Sequence, residues 1–303
     1  TRDITSDCLA SIYKYTSGIE FEVIVIDNAS EDRSAEHFES NYPQVKVIKN
    51  QCNRGFAFAN NQGIKISKGK YYLLLNSDTY IFNNALKKIV DFANLNPKAG
   101  LISCRVLNND RTLQPTCFMF PSIINLIISV LWLNKLFPKS KIFGRERMTW
   151  WDRNNTCEVH VITGCFMLAS REAVLEVGMM DDGFFMYGEE TDWCYRFKKN
   201  GWQILFTPKV EIVHLGGQSS KKVKPKMLLQ LRSGILKFIE KNYSTPMYNF
   251  AKIFMALWFA MRIPYWAVFE LRYDKKKRIM TDTYSKGTLL SLKGWRALEY
   301  KNN

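Results

Sequence analysis

Residues 184–201 read FFMYGEETDWCYRFKKNG and set three carboxylates, Glu189, Glu190 and Asp192, within four consecutive positions behind an aromatic, glycine-containing loop. Carboxylates so placed can take a proton from a substrate hydroxyl, the work of a general base. They can equally do no more than open a helix, because acids in the first turn and bases in the last complement the helix dipole. Arg196, Lys198 and Lys199 close the stretch, Gly201 follows where a left-handed cap belongs, and Trp193 and Phe197 offer a buried face. On this stretch alone both readings stand. Two further acids occupy strand ends: Asp27 closes VIVID, and Asp78 follows YYLLLNS. A histidine, His214, ends VEIVH ahead of two glycines; a lone histidine is commonly structural.

These side chains need a scaffold, and the hydrophobic periodicity predicts one. Helices near 5–16, 33–42, 55–67 and 84–95 alternate with the apolar runs FEVIVID (21–27), VKVIKN (45–50), KYYLLLNSD (70–78) and GLISCRV (100–106). Continuous aliphatic strands between helices predict an α/β fold, a Rossmann-like, mostly parallel sheet with helices on both faces. Ligands of such sheets bind beyond the carboxyl ends of strands, where Asp27 and Asp78 fall. VHVITGCFMLAS (159–170) predicts another strand, followed by a short helix, the acidic helix, and the strands WQILFTP and VEIVHLGG. Residues 117–145 predict an apolar helix broken by Pro121 and Pro138, either packed on the core or facing a membrane.

With 303 residues, 47% of them apolar, the chain can bury a substantial core. Its seven cysteines include no Cys-x-x-Cys pair, which favours reduced thiols over a disulfide framework or a structural zinc site. The net charge of +15 is concentrated at one end: residues 1–220 hold 25 Lys+Arg against 23 Asp+Glu, and residues 221–303 hold 18 against 5. That basic end carries PMYNFAKIFMALWFAMRIPYWAVFELRYDKKKR, in which Lys252, Arg262, Pro264 and Glu270 interrupt the apolar residues ahead of the cluster Lys275–Arg278. No uninterrupted apolar run there reaches the ~18 residues of a spanning helix. A surface-lying helix held by anionic headgroups fits the pattern, the alternative being a helix packed on the core with a solvated basic face. No nucleic-acid-binding motif accompanies the charge, so nucleic acid is not an expected partner. No secretory signal opens the sequence, and a cytoplasmic protein is expected.

The series VIVIDNASEDRS, NRGFAFANNQGIKISKGKYYLLLNSDT, TGCFMLASREAVLEVGMMDDGFFMYGEETDWCYRFKKNGW and PKVEIVHLGGQSS resembles the family 2 glycosyltransferases, in particular their bacterial rhamnosyltransferase-like branch, over residues 1–220. The resemblance implies a GT-A fold with a nucleotide-sugar-binding half at 1–110 and an acceptor and catalytic half at 111–220, leaving 221–303 as a helical, membrane-associating tail. It also implies inverting transfer of a sugar, with rhamnose the suggestion of the branch, from a dTDP- or UDP-linked donor. The acceptor would be a saccharide or lipid-linked saccharide of bacterial surface polysaccharide synthesis, used by a peripheral enzyme at the cytoplasmic face of the inner membrane, with Mg²⁺ or Mn²⁺ as cofactor. Family members begin with a strand and a short polar turn ahead of the helix near Thr5, and neither is found in this sequence.

The same resemblance assigns roles. Asp78 and His214 would hold the metal, with Asn76 standing where the family keeps the first acid of an Asp-x-Asp pair. Asp27 and Asn28 would meet the base and ribose; Asn53, Arg54, Gly55 and Asn60 would line the donor site at a helix mouth; Gly164 would leave room for the donor sugar. Glu190 aligns with the usual catalytic Asp, and Asp192 competes with it for the base role. A sugar nucleotidyltransferase would need a Gly-rich basic loop that TRDITSDCLASI lacks, while the glutamate at 190 keeps open a catalytically inactive, membrane-associated scaffold.

Overall fold

The computed structural model describes residues 1–216, 224–273 and 278–295. The expected boundary at 220/221 and Lys275–Lys277 of the basic cluster lie outside the described residues. The chain forms two compact units, Thr1–Met119 with Asp152–Ser219, and Phe120–Trp151 with Ser220–Asn303.

The first unit alternates as the periodicity predicts. It runs α1 (Arg2–Tyr15), β1 (Val23–Asp27), α2 (Ser34–Asn41), β2 (Val45–Lys49), α3 (Phe56–Ile66), β3 (Tyr71–Leu75), β4 (Thr79–Tyr80), α4 (Ala85–Leu95), β5 (Ala99–Leu107), β6 (Leu113–Gln114) and β7 (Cys117–Phe118). Helices α5 (Ile123–Val130) and α6 (Leu133–Leu136) of the second unit intervene. The first unit resumes with β8 (Cys157–Glu158), β9 (Val161–Ile162), β10 (Phe166–Ser170), α7 (Arg171–Val177), α8 (Glu189–Lys199) and β11 (Gln203–His214).

The large sheet has the order β3-β10-β5-β11-β4, with β6 added to β5 and β8 to β11. Only β5 and β11 are parallel within it; β10 runs antiparallel to β3 (Phe166↔Leu75) and β5 (Leu168↔Ile102), and β4 antiparallel to β11. The sheet is therefore mixed where a mostly parallel one was expected. The cause is the excursion into the second unit: the chain leaves on β7 and, after β8, comes back beside it on β9, paired antiparallel (Cys117↔Ile162), and β10 follows directly. A parallel partner would need a crossover connection instead. Strands β1 and β2 pair in parallel in a small sheet of their own. The two strands predicted over 202–217 are one, β11, with a register shift between Thr207 and Glu211, where Pro208 lacks a ladder donor. Ile12, Ile81, Ile89, Ile102, Val106, Phe166 and Ile212 form the core beneath α1 and α4. All seven cysteines are free, as expected of reduced thiols.

The second unit adds α9 (Lys224–Asn242), α10 (Thr245–Ala260), α11 (Ile263–Tyr273) and α12 (Ile279–Lys293) to α5 and α6. Ser122 caps α5 by accepting from the Asn125 N–H, and buried Leu126 and Ile128 give that helix an apolar face. Phe238, Met255, Trp258, Phe259 and Tyr284 fill the interior, and the Trp258 indole N–H donates to Ser129 Oγ (2.9 Å). Phe120–Trp151 thus groups with the C-terminal helices, where α5 packs on α10.

Candidate active site

Two strand pairings bring three distant segments together. The β4–β11 ladder sets His214 opposite Thr79, beside Asp78, and the β5–β6 hairpin carries Gln114. His214 Nε2 lies 3.1 Å from Asp78 Oδ1 and 3.2 Å from Asn76 Nδ2. On the other side of the ring, Nδ1 is 2.6 Å from Gln114 Oε1. The Gln114 amide orientation is fixed by its Nε2, which donates to Asn108 Oδ1 (2.8 Å) and to the His214 carbonyl (3.3 Å). Oε1 can only accept, so His214 carries a proton on Nδ1 and turns Nε2 toward the Asp78 carboxylate. That arrangement suits a cation between the two. One carboxylate and one imidazole, with substrate oxygens and water completing the shell, are a donor set appropriate to Mg²⁺ or Mn²⁺. Among the described residues no cluster of three or more His, Cys, Asp or Glu gathers. Gln114, absent from the sequence expectations, is the partner a metal-ligating histidine generally needs on its other nitrogen.

The helix mouth of α3 is built differently from its sequence expectation. Gly55 has φ +92°, and a Cβ there would sit 2.1 Å from the Phe185 carbonyl oxygen, to which the Phe56 N–H donates (3.0 Å). The glycine therefore admits the aromatic loop 184–188, and that carbonyl takes a helix N-terminal donor that was expected to face an anion. Gly55→Ala is expected to cost about 3 kcal/mol or more, from backbone strain plus overlap; thermal unfolding checks it, and an unchanged melting temperature would contradict the contact. At Gly164 a Cβ would meet the Phe56 ring at 2.7 Å, so the missing side chain makes room for that ring.

Asn28 donates to the Gly55 carbonyl (3.2 Å) and accepts from Asn50 (2.8 Å), which exchanges two bonds with Gln62. Asp27 Oδ2 receives the Ser30 N–H (3.2 Å), so Asp27, Asn28 and Gly55 share one neighbourhood. Asn53 accepts from the Gly55 N–H (2.9 Å), and Arg54 is exposed and stacked on Phe58. The Asn60 amide spends one of its two N–H groups on Phe56 O within α3 (2.9 Å). Its neighbour Asn61, missed in the sequence, clips both backbone groups of Met180 (2.8 and 3.1 Å) and so anchors the loop ahead of the acids.

The three acids of α8 separate into three environments. Asp192 is fully buried and bonded to Arg196 Nε (2.9 Å), whose guanidinium also holds the carbonyls of Val177 and Met179. Asp192, the rival for the base role, is held in an i,i+4 contact of opposite charges. Glu189 is buried with Oε2 lacking a hydrogen-bond partner, and burial first, then the charge of Glu190, raises its pKa well above the usual carboxylate range. Glu190 is half-buried; burial raises its pKa, opposed by the backbone N–H groups of Glu190 and Gly188. Burial disfavours the charged form of both neighbouring acids, and for Glu189 the charge of Glu190 adds to it. Tyr187 precedes them at φ +65°, an uncommon backbone state for a large side chain, of the kind that gathers at functional loops.

For Glu189 the raised folded pKa means its contribution to stability is present below the unfolded value and is lost as pH rises through the folded one. Glu189→Gln is expected to melt several degrees above the parent at pH 8, at about 2–4 °C for each kcal/mol, with the gap closing by pH 4. A gap that widens on acidification would contradict the raised pKa.

A continuous series of contacts joins the two halves of the site. Asn76 N–H donates to Cys165 O (3.1 Å), Gly164 packs on Phe56, Phe56 bonds Phe185, and Gly188 N–H donates to Glu190 Oε2 (3.2 Å). The Asp78–His214 pair and Glu190 are thus linked through the strand ends and the mouth of α3.

This fold is one seen in solved sugar transferases. A mannosyltransferase from Pyrobaculum calidifontis, solved with GDP-Man and Mn²⁺, matches with TM-score 0.58 over 98% of this chain and 85% of that one, at 14% identity. GalNAc-T7, solved with UDP, GalNAc and Mn²⁺, matches with TM-score 0.56 over 94% of this chain and 52% of that one, at 16% identity. The pattern of glycosyl transferase family 2 matches residues 2–178, and the chain belongs to that family. The N-acetylglucosaminyl-diphospho-decaprenol L-rhamnosyltransferase of Mycobacterium tuberculosis is 25% identical over 207 residues, covering 63% of this chain. The chain spans 66% of that relative's length.

Proposed function

We propose that the chain transfers a sugar from a nucleoside-diphosphate donor to an acceptor hydroxyl with inversion. The observation that carries this reading is the linked pair of chemistries in one unit: a carboxylate–imidazole pair in a fixed tautomer, and a half-buried carboxylate at the start of α8. Asp78 and His214 would hold a divalent cation, which when bound offsets the charge developing on the departing diphosphate. Asp27 and Asn28 accept from and donate to the nucleoside, and Asn53, Arg54 and Asn76 border the donor. Glu190 takes the proton of the acceptor hydroxyl. The oxygen forms its bond to the anomeric carbon as the carbon–oxygen bond to the diphosphate breaks, and that electron pair leaves with the diphosphate. Attack opposite the leaving group inverts the anomeric centre.

The donor in this reading is dTDP- or UDP-linked and the enzyme works at the cytoplasmic face of a bacterial membrane; the name of the Mycobacterium tuberculosis relative supports rhamnose as the sugar and a diphospho-lipid-linked saccharide as the acceptor. The second unit supports membrane-surface contact. Met247, Phe250, Ile253, Leu257, Met261 and Tyr265 are exposed at three- and four-residue spacing along α10 and its continuation, and Thr245–Arg272 is long and apolar enough to cross a membrane by length and composition. A stripe with basic residues around it suits a helix lying in the interface. The test is turnover of radiolabelled dTDP- and UDP-sugars with and without EDTA. Transfer lost to EDTA and restored by Mn²⁺ is expected. Nucleotide binding without transfer from any donor would overturn the proposal in favour of a non-catalytic scaffold.

A further inference from the structure

The helical unit gathers arginines around one indole. The Arg232 guanidinium of α9 stacks on Trp258 with its carbon 3.7 Å from the ring centroid, and Arg262 lies 4.1 Å from the same centroid and 4.9 Å from that of Trp132. Arg262 has acceptors: it donates to the carbonyls of Trp258 (2.7 Å) and Ser129 (2.9 Å). Arg232 does not. Its Nε is buried without a hydrogen-bond partner, and no carboxylate among the described residues lies within the 4.0 Å of an ion pair. Glu146 favours the Arg232 cation from beyond that range, whereas Arg147 opposes it, and Arg232 in turn opposes Arg262. Burial pushes both guanidinium pKa values down to about 10, so each remains charged at neutral pH.

A partly buried guanidinium whose Nε has no acceptor, and which has no ion-pair partner among the described residues, is costly. The indole face offsets part of that cost but offers no acceptor to the N–H groups. The complement is an anion with several oxygens, and the guanidinium fork matches phosphate. The surroundings narrow the choice of phosphate. Trp132, whose ring meets Arg262, is partly exposed, as are its chain neighbour Leu131 and, on either side of Trp258 and Arg262, Leu257 and Met261. Hydrocarbon lying against these side chains would cover surface that a free phosphate or a sugar phosphate would leave wet.

We propose that Arg232, with Arg262 beside it, forms a binding site for the phosphate of a lipid whose chain lies along this exposed apolar surface. The inference rests on the membrane-surface reading of the second unit, not on the chemistry of the first. Bilayer phospholipids and isoprenoid phosphates share the required group, and soluble probes separate them. The full chain is titrated calorimetrically with dioctanoyl-phosphatidylglycerol, farnesyl phosphate and inorganic phosphate, with indole fluorescence as a second readout.

Saturable binding of a lipid phosphate, at least roughly tenfold tighter than inorganic phosphate, is expected, and Arg232→Met is expected to weaken it roughly tenfold. Preference for phosphatidylglycerol assigns the site to the bilayer; preference for farnesyl phosphate assigns it to an isoprenoid carrier. Equal affinity for inorganic phosphate, or parent-like binding by Arg232→Met, overturns the proposal. Should the methionine variant not fold, Arg232→Gln decides by the same criterion. Flotation on phosphatidylcholine vesicles reports the membrane reading separately: its failure in the parent would sink that reading, while the soluble probes still decide the arginine site.

Discussion

Glu190→Gln is expected to lower sugar transfer by about 10²- to 10⁴-fold, the usual range for loss of a general base, with nucleotide affinity unchanged. The amide keeps the shape of the side chain and its bond from the Gly188 N–H, but cannot accept a proton at neutral pH. The prediction depends on how α8 sorts its acids. Asp192 is tied to Arg196 and Glu189 is buried, which leaves Glu190 as the most accessible of the three carboxylates. Burial of Glu190 also raises its own pKa, so the acid limb of the rate profile in the parent is expected to lie above the ordinary carboxylate range, with activity rising as pH climbs through it. A fully active Gln variant would remove Glu190 from the mechanism. Equal loss in Asp192→Asn, with its fold intact, would return Asp192 to contention.

The second large effect concerns the carboxylate–imidazole pair. Asp78→Ala is expected to abolish Mn²⁺-dependent nucleotide binding, a loss of roughly 10²-fold or more, because it removes the only formal negative charge in the constellation of Asn76, Asp78, Gln114 and His214. Gln114→Ala leaves both ligands in place and frees the ring to turn or change tautomer, so a loss of about 10- to 100-fold is expected, as for other outer partners of metal-bound histidines. Manganese affinity can be read directly by electron paramagnetic resonance in the presence of nucleoside diphosphate. The ordering of the two variants is the informative result. If Gln114→Ala cost as much as Asp78→Ala, the pair would be a structural ion pair and not a cation site.

Much of this was readable in the chain before the fold was. The alternation of helix and strand through residue 107 follows the hydrophobic period, because each element's burial depends on its own face. The acids at strand ends were visible for the same reason: Asp78 follows a buried run and falls where the ladder with β11 delivers His214. Positions whose meaning lies in a distant partner were not readable. Gly55 and Gly164 looked like openings for a ligand, and each is filled by the aromatic loop or ring that its missing side chain admits. Gln114 and Asn61 carry no local signal, since their partners stand 100 and 119 residues away. Asp192 is the instructive opposite case. Its spacing of four from Arg196 was in plain view, and the ion pair it forms accounts for the third acid without any chemistry. The antiparallel course of β10 is a matter of topology: it follows from where the excursion through Phe120–Trp151 returns the chain.

The central claim is that one cation-held diphosphate and one proton-accepting carboxylate serve the same anomeric carbon. A diffraction structure with Mn²⁺ and a nucleoside-diphosphate sugar, collected at the manganese edge, tests it most directly. The account predicts an anomalous peak within bonding distance of Asp78 and His214 Nε2, with the Glu190 carboxylate on the face of the sugar opposite the diphosphate. Manganese bound elsewhere, or a sugar whose open face is turned away from Glu190, would contradict it.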